Sequence, residues 1–222
     1  MRVVICGLGK VGWPLACYLE SRGHVVTGLD IDQSSLDRIQ KADYGQPVEA
    51  RERCQALNAT VTLDAPSAYE RAEAAVLIVP TPQVDDRLSS ECIRKAGEEA
   101  RRLMPAGAHL FIASTLDPRD AMDLCQDLNA IYTPVFVRLG SVFKDLCDQP
   151  YLLIGANASQ DEVTLPTMSL WNPRGKRWSR ENIMEADPTT IACAKLAINA
   201  TLSSRIAWAN DVAVRAKAFG AD

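Results

Sequence analysis

Three glycines near the amino terminus are spaced for phosphate chemistry. Gly7-Leu8-Gly9-Lys10-Val11-Gly12 follows the apolar run Val3-Val4-Ile5-Cys6 and leads into a helical pattern over residues 11–22. In a strand-turn-helix setting Gly7 permits the tight turn, Gly9 lets backbone amides approach a pyrophosphate, and Gly12 lets helix pack on strand. Lys10 and Val11 complete the loop, and the phosphates sit on a helix N-terminus. Eighteen residues after Gly12, at the end of the next β-branched run, Asp30 is placed to accept hydrogen bonds from the hydroxyls of an adenosine ribose. A second acid at Asp32, with no arginine beside it, repels a 2′-phosphate, so the expected cofactor is NAD rather than NADP.

Two further strand ends carry small hydroxyl residues: Val79-Pro80-Thr81-Pro82 and Ser114-Thr115. An open α/β sheet binds its ligand at the carboxyl edge of its parallel strands, so Pro80, Thr81, Ser114 and Thr115 join the candidate cofactor site, although each also suits a turn or a helix cap. Farther on, Lys195 and Asn199 are four apart and share a helix face inside an apolar stretch. A lysine there is either a snorkelling surface residue or a group of lowered pKa that shuttles a proton or faces an oxyanion, with the amide fixing a water or hydroxyl.

The elements that must position these residues follow from hydrophobic patterning. Apolar runs at 2–6, 24–30, 60–63, 74–79, 108–113, 130–133 and 151–154 alternate with helical patterns such as 11–22, 90–104 and 160–171. The runs are near-continuous rather than alternating, as in strands buried on both faces, so the expected fold is α/β, a doubly wound and mostly parallel sheet of Rossmann type. Residues 173–178 (PRGKRW) read as a loop leading to a last short strand or turn before Asp187. Residues 188–219 then contain no glycine and, after Pro188, no proline, and predict one long helix with Asp187 as N-cap, Pro188 in the first position and Gly220 as stop. Such a helix spans roughly 48 Å, more than a sheet crossover needs. Its far half, with an apolar stripe through Ile198, Leu202, Ala209 and Ala213, is expected to pack outside the first domain, against a second domain or a partner subunit.

Composition narrows the class. The chain has 222 residues, 47% hydrophobic and 23% charged, with a formal net charge of -4, the profile of a folded globular protein with ample core. The acidic balance argues against nucleic acid or an anionic membrane as partner. No apolar stretch reaches 18 residues and the first residues show no leader pattern, so a cytoplasmic protein is expected. Seven cysteines, odd in number and scattered, read as reduced thiols. With only His24 and His109, neither a zinc site nor a histidine-based triad is expected.

The chain resembles the UDP-glucose/GDP-mannose (nucleotide-sugar) 6-dehydrogenases. The matching segments run in family order: GLGKVGWPLA at 7–16, LDID at 29–32, VPTP at 79–82, ST at 114–115, TPVFVRLGSVFKD at 133–145, PYLLIGA at 150–156 and KLAINATLSSRIAWANDV at 195–212. The resemblance implies a NAD-dependent oxidoreductase acting on a nucleotide-linked sugar, with 1–187 as the NAD-binding domain and 188–222 as the start of a central dimerisation domain, a homodimer built on the long helix, and a site in which Lys195, Asn199 and Thr115 surround the reacting oxygen while Phe136, Val137 and Arg138 join Lys195 and Asn199 at the substrate. It also exposes departures. The family's N-P-E-F-L-R-E-G segment has two glutamates, and here Val135 and Leu139 stand in their places; its P-P-G-T is Asp117-Pro118-Arg119-Asp120. The family's nucleophilic cysteine, in G-F-G-G-x-C-x-P-K-D, has no counterpart among the seven cysteines of these 222 residues. That thiol holds the aldehyde between two oxidations, so the expectation is a single hydride transfer. The alternatives are a catalytically silent NAD or nucleotide-sugar binder, and one-step alcohol/carbonyl chemistry like that of the β-hydroxyacid dehydrogenases, which share the K-x-x-x-N helix.

Overall fold

The structure, a computed structural model, describes residues 1–41, 59–157, 160–171 and 180–221. The loop expected at 173–178 lies outside the described residues. Strands β1 (Arg2–Cys6), β2 (Val25–Leu29), β3 (Thr60–Thr62), β4 (Ala74–Leu77), β7 (His109–Ile112), β8 (Ala130–Tyr132), β9 (Leu152–Gly155) and β10 (Ile183–Ala186) form one sheet in the order β10-β9-β8-β7-β4-β1-β2-β3. Pairing is parallel throughout except between β8 and β9, so the mostly parallel sheet expected from the sequence is what forms. A separate two-stranded antiparallel hairpin, β5 (Gln83–Val84) and β6 (Arg87–Leu88), lies outside the sheet.

Helices cover both faces, as the unbroken apolar runs require. Alternate residues of a strand point to opposite faces, and the core divides accordingly. Val3, Ile5, Val76 and Phe111 pack with α1 (Gly12–Ser21), α6 (Val142–Asp148) and α7 (Gln160–Trp171) through Leu15, Leu19, Phe143, Leu146 and Trp171. Val4, Cys6, Leu77, Leu110 and Ile112 pack on the other face with α4 (Glu91–Leu103), α5 (Pro118–Asp127) and the start of α8 (Pro188–Ala218), through Ile93, Leu124 and Ile191. Each fully buried Leu or Phe contributes about 1.5–3 kcal/mol relative to exposure. Short helices α2 (Gln33–Gln40) and α3 (Ala65–Tyr69) complete the connections.

The chain leaves β1 towards β2 and β3, then returns to place β4 on the other side of β1. This reversal opens a crevice at the carboxyl ends of β1 and β4, where doubly wound sheets hold their ligands. Helix α8 starts as its sequence predicts: Asp187 accepts from the Thr190 N–H (3.0 Å), Pro188 follows, and Gly220 ends it at φ 76°. Only Pro188, Ile191, Ala192 and Lys195 of α8 are buried. From Ala197 to Ala221 every residue is exposed except the half-buried Ala216, with Leu202 52%, Trp208 70% and Val214 71% accessible. Burial on this helix thus ends after its second turn, and the rest of it stands exposed.

Candidate cofactor and catalytic site

Backbone geometry separates the roles of the loop glycines. Gly7 lies at φ +100°, and a Cβ there would stand 2.5 Å from the Ile78 carbonyl oxygen. A Cβ on Gly12 would stand 1.8 Å from the carbonyl oxygen of Gly7. A Cβ on Gly9 would meet nothing within 4 Å beyond its chain neighbours, so packing inside the protein does not require glycine at that position. Val11 occupies the N-cap of α1 with no side-chain hydrogen bond, and the first turn holds no acid, which leaves the helix N-terminus without a competing carboxylate. Lys10 is exposed and Val11 half-buried beside it. These features fit a dinucleotide pyrophosphate.

Asp30 is tied to the same loop. Its Oδ2 accepts from the Leu8 N–H at 2.7 Å and its Oδ1 from the Asp32 N–H at 3.0 Å, so two backbone amides fix the carboxylate at the end of β2. Asp32 is the N-cap of α2 and accepts from the Ser34 N–H (2.9 Å) and hydroxyl, which hold its carboxyl below the usual range. It therefore keeps its negative charge beside Asp30 at neutral pH.

On the other side of the crevice the Ser114 hydroxyl donates to the Val79 carbonyl (2.7 Å), joining the ends of β4 and β7. Thr115 follows it, half-buried, and Pro80 and Thr81 are exposed and half-buried beyond β4. The expected residues Pro80, Thr81, Ser114 and Thr115 thus stand on neighbouring strand ends.

Lys195 is 7% exposed, which overturns the snorkelling reading. Its Nζ donates to the Val135 carbonyl oxygen at 2.7 Å and lies 4.3 Å from the centre of the Phe136 ring, a cation–π contact. Burial pulls its pKa down to about 8. Val135 itself is buried, whereas Leu139 is 67% exposed. Val137 is half-buried, and the exposed Arg138 forks onto Asp145 (Nη2–Oδ1 2.7 Å), with Arg138 pulling the Asp145 carboxyl down to about 2. Asn199, one turn beyond Lys195 on the same helix, is exposed. Among the described residues no three His, Cys, Asp or Glu side chains stand together as metal ligands, and no helix is long and apolar enough to cross a membrane.

Sequence reasoning missed the hairpin β5–β6 and its anchors. Its turn is Asp85-Asp86, both at positive φ, where Asn-Gly or Asp-Gly is the usual signal. It also missed the Phe136 ring as a partner of Lys195, which no spacing rule reveals because Val135 and Phe136 lie some 60 residues away.

Comparison with known proteins agrees with this geometry. Residues 1–170 match the family described as UDP-glucose/GDP-mannose dehydrogenase family, NAD binding domain. The UDP-glucose 6-dehydrogenase AglM of Haloferax volcanii is 26% identical over 243 aligned positions, which cover 100% of this chain and 56% of that protein. A UDP-glucose dehydrogenase from Pyrobaculum islandicum superposes with a TM-score of 0.83 at 21% identity, covering 100% of this chain and 54% of the other. A GDP-mannose dehydrogenase from Pseudomonas aeruginosa superposes with a TM-score of 0.82 at 21% identity, over 100% and 54%. The chain spans about half the length of these relatives. The glycine loop after β1, the acid at the end of β2 and the match over residues 1–170 together establish that this chain belongs to the UDP-glucose/GDP-mannose dehydrogenase family and carries its NAD-binding domain.

Proposed function

We propose that this chain is the cofactor-binding part of a NAD-dependent oxidoreductase acting on the alcohol of a nucleotide-linked sugar, and that its own residues support one oxidation step. The observation that carries the reading is Lys195: a buried amine with a pKa pulled down to about 8, held on a carbonyl oxygen and an aromatic face. Such an amine is partly unprotonated near neutral pH and takes the alcohol proton as carbonyl character develops. NAD, when bound, accepts the hydride. Gly7, Gly9, Lys10, Val11 and Gly12 seat the pyrophosphate, Asp30 takes the ribose hydroxyls, and Pro80, Thr81, Ser114 and Thr115 line the half of the crevice nearer the reaction. Thr115 and Asn199 assist at the reacting oxygen, with Phe136, Val137 and Arg138 towards the substrate.

Limitation to one step is supported by the 133–139 segment. Val135 presents a buried isopropyl group and Leu139 an exposed one-carbon-longer apolar chain where the resembling enzymes have carboxylates, so neither side chain can activate water. The proposed division places the NAD domain at 1–187 and the start of a dimerisation domain at 188–222. The exposed apolar residues of α8 suit a second copy of the chain. Six described cysteines are thiols, in keeping with a proposed cytoplasmic setting.

The test is to supply NAD and a panel of nucleotide sugars, follow NADH, and repeat with Lys195→Ala. NADH that depends on Lys195 supports the reading. Measurable NAD binding with no NADH from any sugar favours the silent binder, to which the loss of both carboxylates also points.

A further inference from the structure

The cofactor crevice has one wall that the sheet does not build. Beyond β4 the chain passes through Pro80–Pro82 and enters the hairpin β5–β6, in which Gln83 pairs with Leu88 and Val84 with Arg87. A ladder of two residue pairs does not hold itself together in water. Its turn, moreover, places two non-glycine residues, Asp85 and Asp86, at φ 47° and 59°, a conformation that costs energy and persists only where the surroundings impose it.

The surroundings are the first turn of α5. Asp120 accepts from the Ser90 hydroxyl at 3.1 Å and pairs with Arg87 at 3.5 Å. Asp117, whose side chain is 6% exposed, accepts from the forked guanidinium and the N–H of Arg119, which hold it well below the usual carboxylate range, with the Leu88 amide as a lesser contribution. At the base of the hairpin the Ser89 N–H closes onto the Pro82 carbonyl at 2.8 Å, so force on the hairpin reaches Pro80–Pro82 directly. Helix α5 begins three residues after Thr115. The same contacts enclose a cleft of about 370 Å³, lined in part by Arg87, Asp117, Arg119 and Leu196, the neighbour of Lys195. Where the resembling enzymes have P-P-G-T, this chain has carboxylates in the first and fourth places, and those two carboxylates are the anchors.

We infer that Asp117 and Asp120 are positioning residues for the nicotinamide half of the cofactor: through Leu88, Arg87 and Ser90 they pin the hairpin, and with it Pro80–Pro82, against the strand end that carries Thr115. The inference rests on the assignment of Pro80, Thr81 and Thr115 to the cofactor. Asp30 fixes the adenosine at the end of β2, so in a dinucleotide laid across the strand-order reversal the nicotinamide falls on the β4 and β7 side. The staple therefore acts on one half of the ligand only.

That asymmetry supplies the test. NAD and ADP-ribose, which lacks nicotinamide, are titrated calorimetrically into the 222-residue protein, Arg87→Gln, Asp120→Ala, and the exchanged double variant Arg87→Asp with Asp120→Arg. The expected result is a loss of about three- to fivefold in NAD affinity for each single variant, ADP-ribose affinity within about 1.5-fold of wild type, and recovery of most of the NAD affinity in the exchanged variant. Asp117→Asn, which keeps the helix cap and removes the fork, is expected to behave like Asp120→Ala. Unchanged NAD affinity in all the variants, or an equal loss for both ligands, overturns the inference. Failure of the wild type to bind either ligand removes the site assignment beneath it, and the inference with it.

Discussion

The carbonyl oxygen of Gly7 occupies the space that a Cβ on Gly12 would need, at 1.8 Å. The turn and the helix it feeds are thus closed against each other, while a Cβ on Gly9 between them would meet nothing within 4 Å beyond its chain neighbours. One loop therefore contains two glycines required by the fold and one, Gly9, that packing does not require and that the proposed pyrophosphate site does.

Substitution separates the two kinds. Gly12→Ala forces backbone apart and is expected to lower the unfolding midpoint markedly, with a cost of about 1–3 kcal/mol or more, and to lose NAD binding with it. Gly9→Leu is expected to leave the unfolding free energy within about 0.5 kcal/mol of wild type while abolishing NAD binding. Thermal unfolding and calorimetry on the two variants check this, and a Gly9→Leu protein that binds NAD normally refutes the pyrophosphate assignment.

Asp30 predicts cofactor choice. The carboxylate is held by the Leu8 and Asp32 amides, and Asp32 adds a second negative charge two residues on, beside the proposed ribose site. NAD is expected to bind at least about tenfold more tightly than NADP, roughly 1.4 kcal/mol. Asp30→Ala removes the ribose acceptor and the tie to Leu8 together and is expected to weaken NAD by a similar factor or more. Equal affinity for the two cofactors in calorimetric titration contradicts the assignment.

Much of this was legible in the sequence, for a physical reason. Strands buried on both faces carry unbroken apolar runs, and the glycine loop, Asp30, and the Asp187-Pro188 start of α8 are local signals whose consequences are also local. What stayed illegible depends on distant partners. The depth of Lys195 is set by Val135 and Phe136, and nothing in its own helix distinguishes a buried lysine from a snorkelling one. Ser114 was expected as a cofactor residue, and its hydroxyl is engaged with Val79 across two strand ends. The hairpin β5–β6 lacked a glycine turn and is held by α5, some 30 residues onward.

Helix α8 predicts an assembly. Leu202, Ile206 and Trp208 are more than half exposed on a helix already anchored at its start, an arrangement that leaves apolar area for a partner. The wild type is expected to be a homodimer at micromolar concentration by light scattering, and charged substitutions at Ala209 and Ala213 are expected to give monomers. A monomeric wild type rejects the assembly.

Lys195 predicts a pH dependence. Its pKa falls from 10.5 to about 8 in the folded chain through burial, so the folded state binds fewer protons than the unfolded state between those values. The cost of burying the ammonium is fully present below about pH 8 and is relieved as pH rises towards 10.5, so stability from this group increases across that window. Alcohol oxidation is expected to rise with pH through an inflection near 8, following the unprotonated amine. Lys195→Arg keeps the charge and cannot deprotonate, so it is expected to lose that limb, and Lys195→Ala to lose about 100-fold in rate, roughly 3 kcal/mol. A Lys195→Arg enzyme with the wild-type pH profile contradicts the proton-acceptor role.

The central claim is a single oxidation, and the ratio of NADH formed to nucleotide sugar consumed tests it most directly, with the product identified by mass spectrometry. With a buried valine at 135 and an exposed leucine at 139, neither able to activate water, the expected result is one NADH per sugar and a carbonyl product. Two NADH per sugar with a carboxylate product would contradict it.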